Sequence, residues 1–325
     1  MLKDKLGRVI DNLRISVTDR CNLRCLYCMP EEGLDWFPKE QILTFEEIER
    51  LVRIFAELGV NKIRLTGGEP LVRKNLHLLI KKLNAIPQIQ DIGMTTNGLL
   101  FKKYAQQLFD AGLSRVNISL DSLDPKIFFE MTRRDQLNDV IEAIKEAQRI
   151  GFSPIKINLV PIKGMNDHEM LEFGHFARDE NLDVRFIEFM PIGADDWTLD
   201  DVVPTQKIKD VLNQISPLVE VPHDERLPAA EYTFADGKGK VGFISSVTEP
   251  FCGSCNRVRI TADGRFRTCL FSIEETNFLA LLREGKTDDE IAKIIEERVW
   301  IKEPGHLINK DAFVKPTRTM SQIGG

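Results

Sequence analysis

The fold is decided near the start of the chain, where residues 13–28 read LRISVTDRCNLRCLYC. Leu13, Ile15 and Val17 alternate with polar residues, which is the period-two pattern of a strand with one apolar and one polar face. Three cysteines then follow in a CxxxCxxC arrangement. A strand that runs directly into a group of thiols predicts a chemical site at its carboxyl end.

Five further strand-like segments follow the first and alternate with segments of helical period. Thr44 before Glu46 and Glu47 is typical of a helix N-cap, and Gly59, Gly112 and Gly151 are placed as helix ends. The predicted strands are Leu13 to Thr18, Lys62 to Thr66, Ile92 to Asn97, Arg115 to Asp121, Ile155 to Pro161 and Val184 to Met190. The predicted helices between and after them are Phe45 to Leu58, Leu76 to Ala85, Tyr104 to Ala111, Val140 to Arg149 and His168 to Glu180. Six β/α units in succession predict a parallel sheet in an α/β fold.

The predicted strands are polar on one face, which distinguishes between two parallel architectures. A doubly wound sheet is covered on both faces, so its strands are nearly all apolar. Here Lys62, Arg64 and Lys156 lie on the polar faces. An incomplete (β/α)6 TIM-like barrel with a wet lumen explains this pattern, and a sheet with one uncovered face is the alternative. The barrel directs these cations into one cavity, as a phosphate-rich substrate requires.

The pattern changes after Pro191. We expect a helix over Thr205 to Ile215, a loop-rich connection over Pro217 to Pro228, and a hairpin that turns at Asp236-Gly237. A soft boundary near residues 216–230 therefore divides a partial barrel, residues 1–220, from a C-terminal α+β domain, residues 221–325.

Composition excludes several classes of protein. The 325 residues include 44 Lys+Arg and 50 Asp+Glu, a formal charge of −6, with 42% hydrophobic residues. This balance argues against a general nucleic-acid surface. No apolar run approaches the roughly 20 residues that cross a bilayer, and no signal peptide is evident, so we expect a cytoplasmic protein that binds no membrane.

All 6 cysteines fall into two groups of three. The first trio is Cys21, Cys25 and Cys28; the second trio is Cys252, Cys255 and Cys269. Structural zinc usually takes four Cys or His ligands, and the 5 histidines are scattered. Three thiolates can instead hold three irons of a 4Fe–4S cube and leave the fourth iron open.

The first trio, with an aromatic residue before its last cysteine, resembles the signature of radical S-adenosylmethionine enzymes. The resemblance extends along the chain through Thr66-Gly67-Gly68-Glu69-Pro70, Thr95-Thr96-Asn97-Gly98, Asn117-Ile118-Ser119-Leu120-Asp121, Arg185-Phe186-Ile187-Glu188-Phe189-Met190, the block from Phe251 to Arg259, Cys269 and Gly324-Gly325. Together these motifs are similar to the GTP 3′,8-cyclase family, the A proteins of molybdenum cofactor biosynthesis.

The resemblance implies a radical S-adenosylmethionine barrel closed by a C-terminal domain that carries a second 4Fe–4S cluster. The first trio would hold the first cluster, and Tyr27, Gly68, Ser119 and Met190 would line the S-adenosylmethionine site. The second trio would hold the second cluster, whose open iron contacts the purine of GTP. The radical would take hydrogen from C3′ of GTP, and C3′ would then bond to C8.

The resemblance also implies the substrate-binding residues: Arg14, Lys62, Arg64, Thr95, Lys156, Arg257 and Arg259, with Arg185 as a further candidate. If the strand that carries Arg185 continues to Met190, the two side chains point to opposite faces, so one assignment would need a bulge or be wrong. The family's double-glycine tail reaches the active site, which gives Gly324 and Gly325 a catalytic role here.

The partners expected are GTP, an external electron donor, a cyclic pyranopterin monophosphate synthase that accepts the product, and a second copy in a homodimer. Two alternatives stay open at this point. One is another radical S-adenosylmethionine enzyme with an auxiliary cluster, such as a peptide maturase. The other is a non-catalytic zinc-binding interaction module.

Overall fold

The computed structural model describes residues 1–193, 197–222, 224–308 and 310–325. The expected domain boundary at 216–230 includes His223, one of the scattered histidines, which lies outside the described residues. Within the described part of the chain, no helix combines the length and the apolar character needed to span a membrane.

Twelve strands of the described ranges form one sheet. They are β1 (Asn12–Ser16), β2 (Lys62–Thr66), β3 (Asp91–Thr96), β4 (Arg115–Ser119), β5 (Ile155–Leu159), β6 (Asp183–Ile187), β7 (Leu218–Glu220), β8 (Ala230–Phe234), β9 (Lys240–Ile244), β10 (Arg257–Ile260), β11 (Arg265–Arg267) and β12 (Thr276–Asn277). Their order across the sheet is β12-β11-β10-β1-β2-β3-β4-β5-β6-β9-β8-β7. The segment from β10 through β1–β6 to β9 is parallel, and the strands beyond it on both edges are antiparallel.

The helices are α1 (Phe45–Glu57), α2 (Leu76–Asn84), α3 (Phe101–Asp110), α4 (Pro125–Thr132), α5 (Leu137–Ile150), α6 (Met170–Asp179), α7 (Thr205–Leu212), α8 (Phe278–Arg283), α9 (Asp288–Trp300) and α10 (Met320–Ile323). The predicted order of six β/α units is confirmed. Helix α4 was not predicted, although Asp124 caps it and Pro125 occupies its first position.

The apolar faces of the parallel strands form the core with the helices. Ile15, Ile63 and Val116 are buried on the outer side of the sheet, where they pack with helical residues such as Phe55 and Leu79. The polar faces of the same strands line a single cavity on the inner side. The sheet therefore wraps around a polar lumen, as the barrel interpretation requires, and the alternative of a sheet with one uncovered face is wrong.

The C-terminal residues extend both edges of this sheet. β10 pairs with β1 and β9 pairs with β6, both in parallel register. The hairpin that turns at Gly237 is present as β8 and β9. The segment expected to be only a loop also contains β7, which pairs with β8.

Candidate active site

One cavity of about 740 Å³ brings the predicted site residues together. Both cysteine trios line it, as does every other predicted site residue except Gly324. A volume of this size is within the range of small-molecule sites in enzymes. Residues from opposite ends of the sequence therefore meet in one chamber.

The first trio lies in the loop that follows β1. Two backbone hydrogen bonds join this loop to the residues just after β2. Gly68 N–H donates to Thr18 O at 2.7 Å, and Glu69 N–H donates to Arg20 O at 2.8 Å. A Cβ on Gly68 would lie 2.4 Å from Arg20 O. Glycine is thus required here because two backbone segments touch. From the sequence, Gly68 is assigned only to the S-adenosylmethionine site, and this contact is not predicted.

The first-trio thiols are partly buried. Burial raises the pKa of Cys21 to about 11 and the pKa of Cys25 well above its ordinary value. Asn97 Nδ2 lies 3.8 Å from the Cys21 sulfur. A thiolate in such a place needs a cation or a metal to offset its charge.

The second trio lies in the two loops that flank β10 and β11. Cys252 and Cys255 lie at a tight turn before β10, and Cys269 follows β11. Burial alone would raise the pKa of the Cys255 thiol, but Arg257 and Lys302 outweigh it and lower that pKa to about 6. The Arg257 guanidinium also donates to the Cys255 sulfur at 3.5 Å.

The two trios offer the donor set of iron–sulfur cubes. No disulfide joins any of the six cysteines. A 4Fe–4S cube takes each thiolate on a separate iron, so three cysteines leave one iron open. Each trio therefore has the ligands that the expected cluster needs.

A row of arginines crosses the wall of the chamber. Arg259, Arg14 and Arg64 are register partners on the adjacent strands β10, β1 and β2. Within the described chain, the buried Arg14 Nε and Arg64 Nη1 have no hydrogen-bond partner. Burial, with Arg259, Arg257 and Arg64 nearby, lowers the pKa of Arg14 well below its ordinary value. Like charges gathered without partners indicate a site for a polyanion.

A second cationic group lies on β5 and β6. Lys156 Nζ is 3.1 Å from the Asp183 carboxylate and 3.4 Å from Glu231. Arg185 donates to Glu231 at 2.5 Å. These cations therefore share two carboxylates, whereas the arginine row has orphaned nitrogen atoms.

The conflict between Arg185 and Met190 is resolved by the length of β6. The strand ends at Ile187, so the alternation of faces ends before Met190. Both side chains line the chamber. Neither a bulge nor an incorrect assignment is needed.

The remaining predicted residues also line the chamber. Tyr27 donates its hydroxyl to Asp121 at 2.6 Å, and both line the chamber with Ser119, Thr95 and Lys62. Burial raises the pKa of Asp121 to about 6.

The double-glycine segment ends at the same chamber. Arg259 donates to Gly324 O at 2.9 Å, and Gly325 is one of the lining residues. A Cβ on Gly324 would lie 2.7 Å from both Ser16 Cβ and Thr66 Oγ1. Only glycine fits this closely against the ends of β1 and β2.

Sequence reasoning missed several chamber residues. Arg115 has the same parity on β4 as Asn117 and Ser119, so the alternation rule could have found it. Asp91 pairs with it. Glu231 could not have been found, because the pairing of β8 has no local signal.

Comparison with known proteins gives a consistent result. Residues 15–177 match the Radical SAM superfamily, and residues 182–308 match Molybdenum Cofactor Synthesis C. A GTP 3′,8-cyclase from Alkaliphilus metalliredigens is 46% identical over 325 residues, with 100% of each chain covered. A GTP 3′,8-cyclase from Thermodesulfovibrio yellowstonii is 46% identical over 326 residues, again with 100% of each chain covered.

Solved structures agree at the level of the fold. The crystal structure of Streptococcus suis SuiB bound to S-adenosylmethionine superposes with a TM-score of 0.61 at 16% identity. That match covers 96% of this chain and 77% of the other. At this identity the likeness concerns architecture alone.

Proposed function

Because this chain belongs to the GTP 3′,8-cyclase family of radical S-adenosylmethionine enzymes, we propose which of its residues perform each part of that family's reaction. The chain is a cyclase of molybdenum cofactor biosynthesis that acts on GTP, and it uses S-adenosylmethionine and two 4Fe–4S clusters. The zinc-binding interaction module is therefore wrong. The relatives are named GTP 3′,8-cyclases, so the peptide maturase alternative has no support from them.

We propose that the first trio holds the cluster that, with S-adenosylmethionine bound, supplies the 5′-deoxyadenosyl radical. Tyr27, Gly68, Ser119 and Met190 would hold S-adenosylmethionine. The support is positional, since all of them line one chamber beside the first trio. Tyr27 is fixed by its bond to Asp121, so its backbone can present a constant surface to the adenine.

The triphosphate would bind to the arginine row. Arg14, Arg64, Arg257 and Arg259 are its main contacts, and the other predicted substrate-binding residues Lys62, Thr95 and Lys156 would line the rest of the GTP site. The single observation that carries this assignment is the pair of buried, partnerless nitrogen atoms on Arg14 and Arg64. Phosphate oxygens would satisfy both and offset the repulsion between like charges.

Arg185 would contact a neutral part of GTP. Its charge is already balanced by Glu231 and Asp183, so it gains less from a phosphate than the unpaired arginines do. Its remaining N–H groups can still donate to the sugar or the base.

The second trio would hold the second cluster on the purine side of GTP. Gly324 and Gly325 would then close the chamber against water and fix the reacting carbon atoms. Steric fit supports this role, because the glycine segment lies between Ser16, Thr66 and Arg259. Exclusion of water protects a radical from side reactions.

The proposed division at residue 220 would place the two clusters on different parts of the chain. Residues 1–220 carry the first trio, and residues 221–325 carry the second trio and the double glycine. We also propose a cytoplasmic location, because six cysteines without a disulfide suit a reducing compartment.

Further partners follow from the chemistry. Formation of the radical consumes an electron that the chain cannot supply, so an external donor is required. We propose that the product passes to a cyclic pyranopterin monophosphate synthase. Exposed apolar side chains such as Trp300 and Val314 provide surface for a homodimer.

The test is anaerobic turnover with reductant, S-adenosylmethionine and GTP deuterated at C3′. We expect deuterium in 5′-deoxyadenosine and formation of the cyclised nucleotide. The Cys21→Ala variant should lose both signals. Release of unlabelled 5′-deoxyadenosine by the unmodified chain, with both clusters present, would contradict the proposal.

A further inference from the structure

The segment of residues 302–305 contacts the surroundings of all three second-trio cysteines, although no motif marks it. A Cβ on Gly305 would lie 3.0 Å from Cys252 Cβ and 3.2 Å from its sulfur. Glu303 accepts from Thr268 Oγ1 at 2.6 Å and from Ser272 Oγ at 2.5 Å. Ser272 Oγ in turn accepts from the Cys269 N–H at 2.9 Å.

Lys302 lies at the centre of this arrangement. Its Nζ donates to Arg257 O at 3.1 Å and to Thr268 O. Arg257 is two residues beyond Cys255, and Thr268 directly precedes Cys269. The ammonium thus joins the backbones that carry two of the three thiols.

The charge of Lys302 is unbalanced in the chain itself. The residue is only 2% exposed, and among the described residues it forms no salt bridge with a carboxylate. The neighbouring Arg8, by contrast, is paired with Asp4. A buried ammonium with only carbonyl partners is costly unless a negative group lies near it.

The backbone segments that this ammonium holds carry Cys255 and Cys269, which are proposed ligands of the second cluster. The carboxylate of the adjacent Glu303 accepts from Thr268 and Ser272 instead. The lysine therefore lies where it can interact with the charge of a cluster on this trio.

We propose that Lys302 is the counter-charge of the second 4Fe–4S cluster, and that its buried ammonium raises the reduction potential of that cluster. This inference rests on the proposed assignment of the second trio as ligands. A cube with three thiolates becomes more negative on reduction, so a nearby fixed cation stabilises the reduced form more than the oxidised form.

The test uses the full chain with Cys21, Cys25 and Cys28 replaced by alanine, so that only the second cluster gives an electron paramagnetic resonance signal. In that background Lys302→Arg keeps the charge, Lys302→Gln keeps a donor without charge, and Lys302→Met keeps neither. Each protein is reconstituted anaerobically and titrated with dithionite, with iron content measured in parallel. Lys102→Met, an exposed lysine on α3, removes the same charge elsewhere.

We expect the Gln and Met variants to shift to a more negative potential by at least a tenfold change in the ratio of reduced to oxidised cluster, ~59 mV for one electron. The Arg and Lys102→Met variants should stay within threefold of the parent. If the Lys302→Met variant fails to fold, the reduction potentials of the Lys302→Gln and Lys302→Arg variants decide the test. Loss of the cluster in both neutral variants, with retention in Arg, also supports the charge role.

Two results would overturn the inference. One is a Gln variant that keeps the parent potential, which would leave Lys302 only a structural link. The other is loss of the cluster in all three variants, which would show that charge is not what matters. If the parent protein that lacks the first trio binds no cluster, the assignment of the second trio as ligands is wrong. That result is distinguishable from a failure of the inference about Lys302, which needs a bound cluster.

Discussion

Arg14 is placed to bind a ligand, and this placement lowers the stability of the ligand-free protein. The Nε of Arg14 is buried and lacks a partner within the described chain, and the charged neighbours of Arg14 include Arg259 and Arg64. An isolated buried cation destabilises a protein, and replacement by an apolar residue of similar size is often neutral or stabilising.

We therefore expect Arg14→Met to act in opposite directions on stability and binding. Without GTP, the melting temperature should stay equal or rise, because the repulsion is removed. GTP affinity should fall at least tenfold, while S-adenosylmethionine affinity stays unchanged. Anaerobic calorimetry measures all three quantities.

Arg134→Met, at an exposed position, is the matched control and should change neither affinity. A fall in melting temperature for Arg14→Met together with unchanged GTP affinity would show that the arginine row is structural.

Most chamber residues were predictable at this scale because side chains alternate along a strand. Arg14, Arg64, Lys156 and Ser119 all follow from parity alone. The rule fails where a strand ends, as it does before Met190. It also cannot supply partners such as Glu231, which comes from a distant segment and pairs with the lining residues Lys156 and Arg185.

At the scale of elements, α1 begins with a reciprocal cap. Thr44 Oγ1 accepts from the Glu47 N–H at 3.1 Å, and the Glu47 carboxylate accepts from the Thr44 N–H at 2.7 Å. The same carboxylate pairs with Arg283, the last residue of α8. The cap therefore joins the first helix of the barrel to the C-terminal region.

Thr44→Ala should lower the free energy of unfolding by about 1 kcal/mol, the usual cost of losing such a cap. Thr44→Ser should restore nearly all of it. Thermal and urea unfolding measure the difference, and an unchanged Ala variant would mean that tertiary packing alone holds the start of α1.

The cap also predicts a pH dependence. Burial raises the pKa of Glu47, but hydrogen bonds from Arg283 and from Thr44 outweigh this and lower it below its ordinary value. A carboxyl with a lowered pKa stabilises the fold above its unfolded pKa, about 4.3, and the effect disappears as pH falls through the folded value. The melting temperatures of the unmodified chain and Glu47→Gln should differ at pH 7, and the difference should shrink as the pH falls below the unfolded pKa of about 4.3.

The elements themselves were largely predictable, because Thr44, Gly59 and Gly151 mark helix ends by local chemistry. The C-terminal strands were harder. β10 pairs with β1 across most of the sequence, and a pairing of that range has no local pattern.

At the scale of the whole molecule, the sheet is continuous across residue 220, where we propose to divide the chain. β9 and β10 cover the two edges of the six-strand core, and Val258, Phe266 and Phe278 belong to the same apolar cluster as Ile15 and Phe55. Open parallel edges bind other chains readily.

A chain that ends after residue 220 should therefore fail to form a stable monomer. We expect aggregates in gel filtration and loss of the near-ultraviolet circular dichroism of packed aromatic side chains. A chain that ends after Ile323 keeps every strand and should melt like the full chain. A soluble 1–220 fragment with cooperative unfolding would mean that the two parts fold separately.

The position of Gly325 has a practical consequence for handling the protein. A purification tag joined after Gly325 would begin inside the reaction chamber and would have to displace the glycines to leave it. A tag joined before Met1, whose side chain is 85% exposed, starts in solvent. Preparations that differ only in the end that carries the tag should bind equal amounts of iron, and yet only the amino-terminal fusion should turn over.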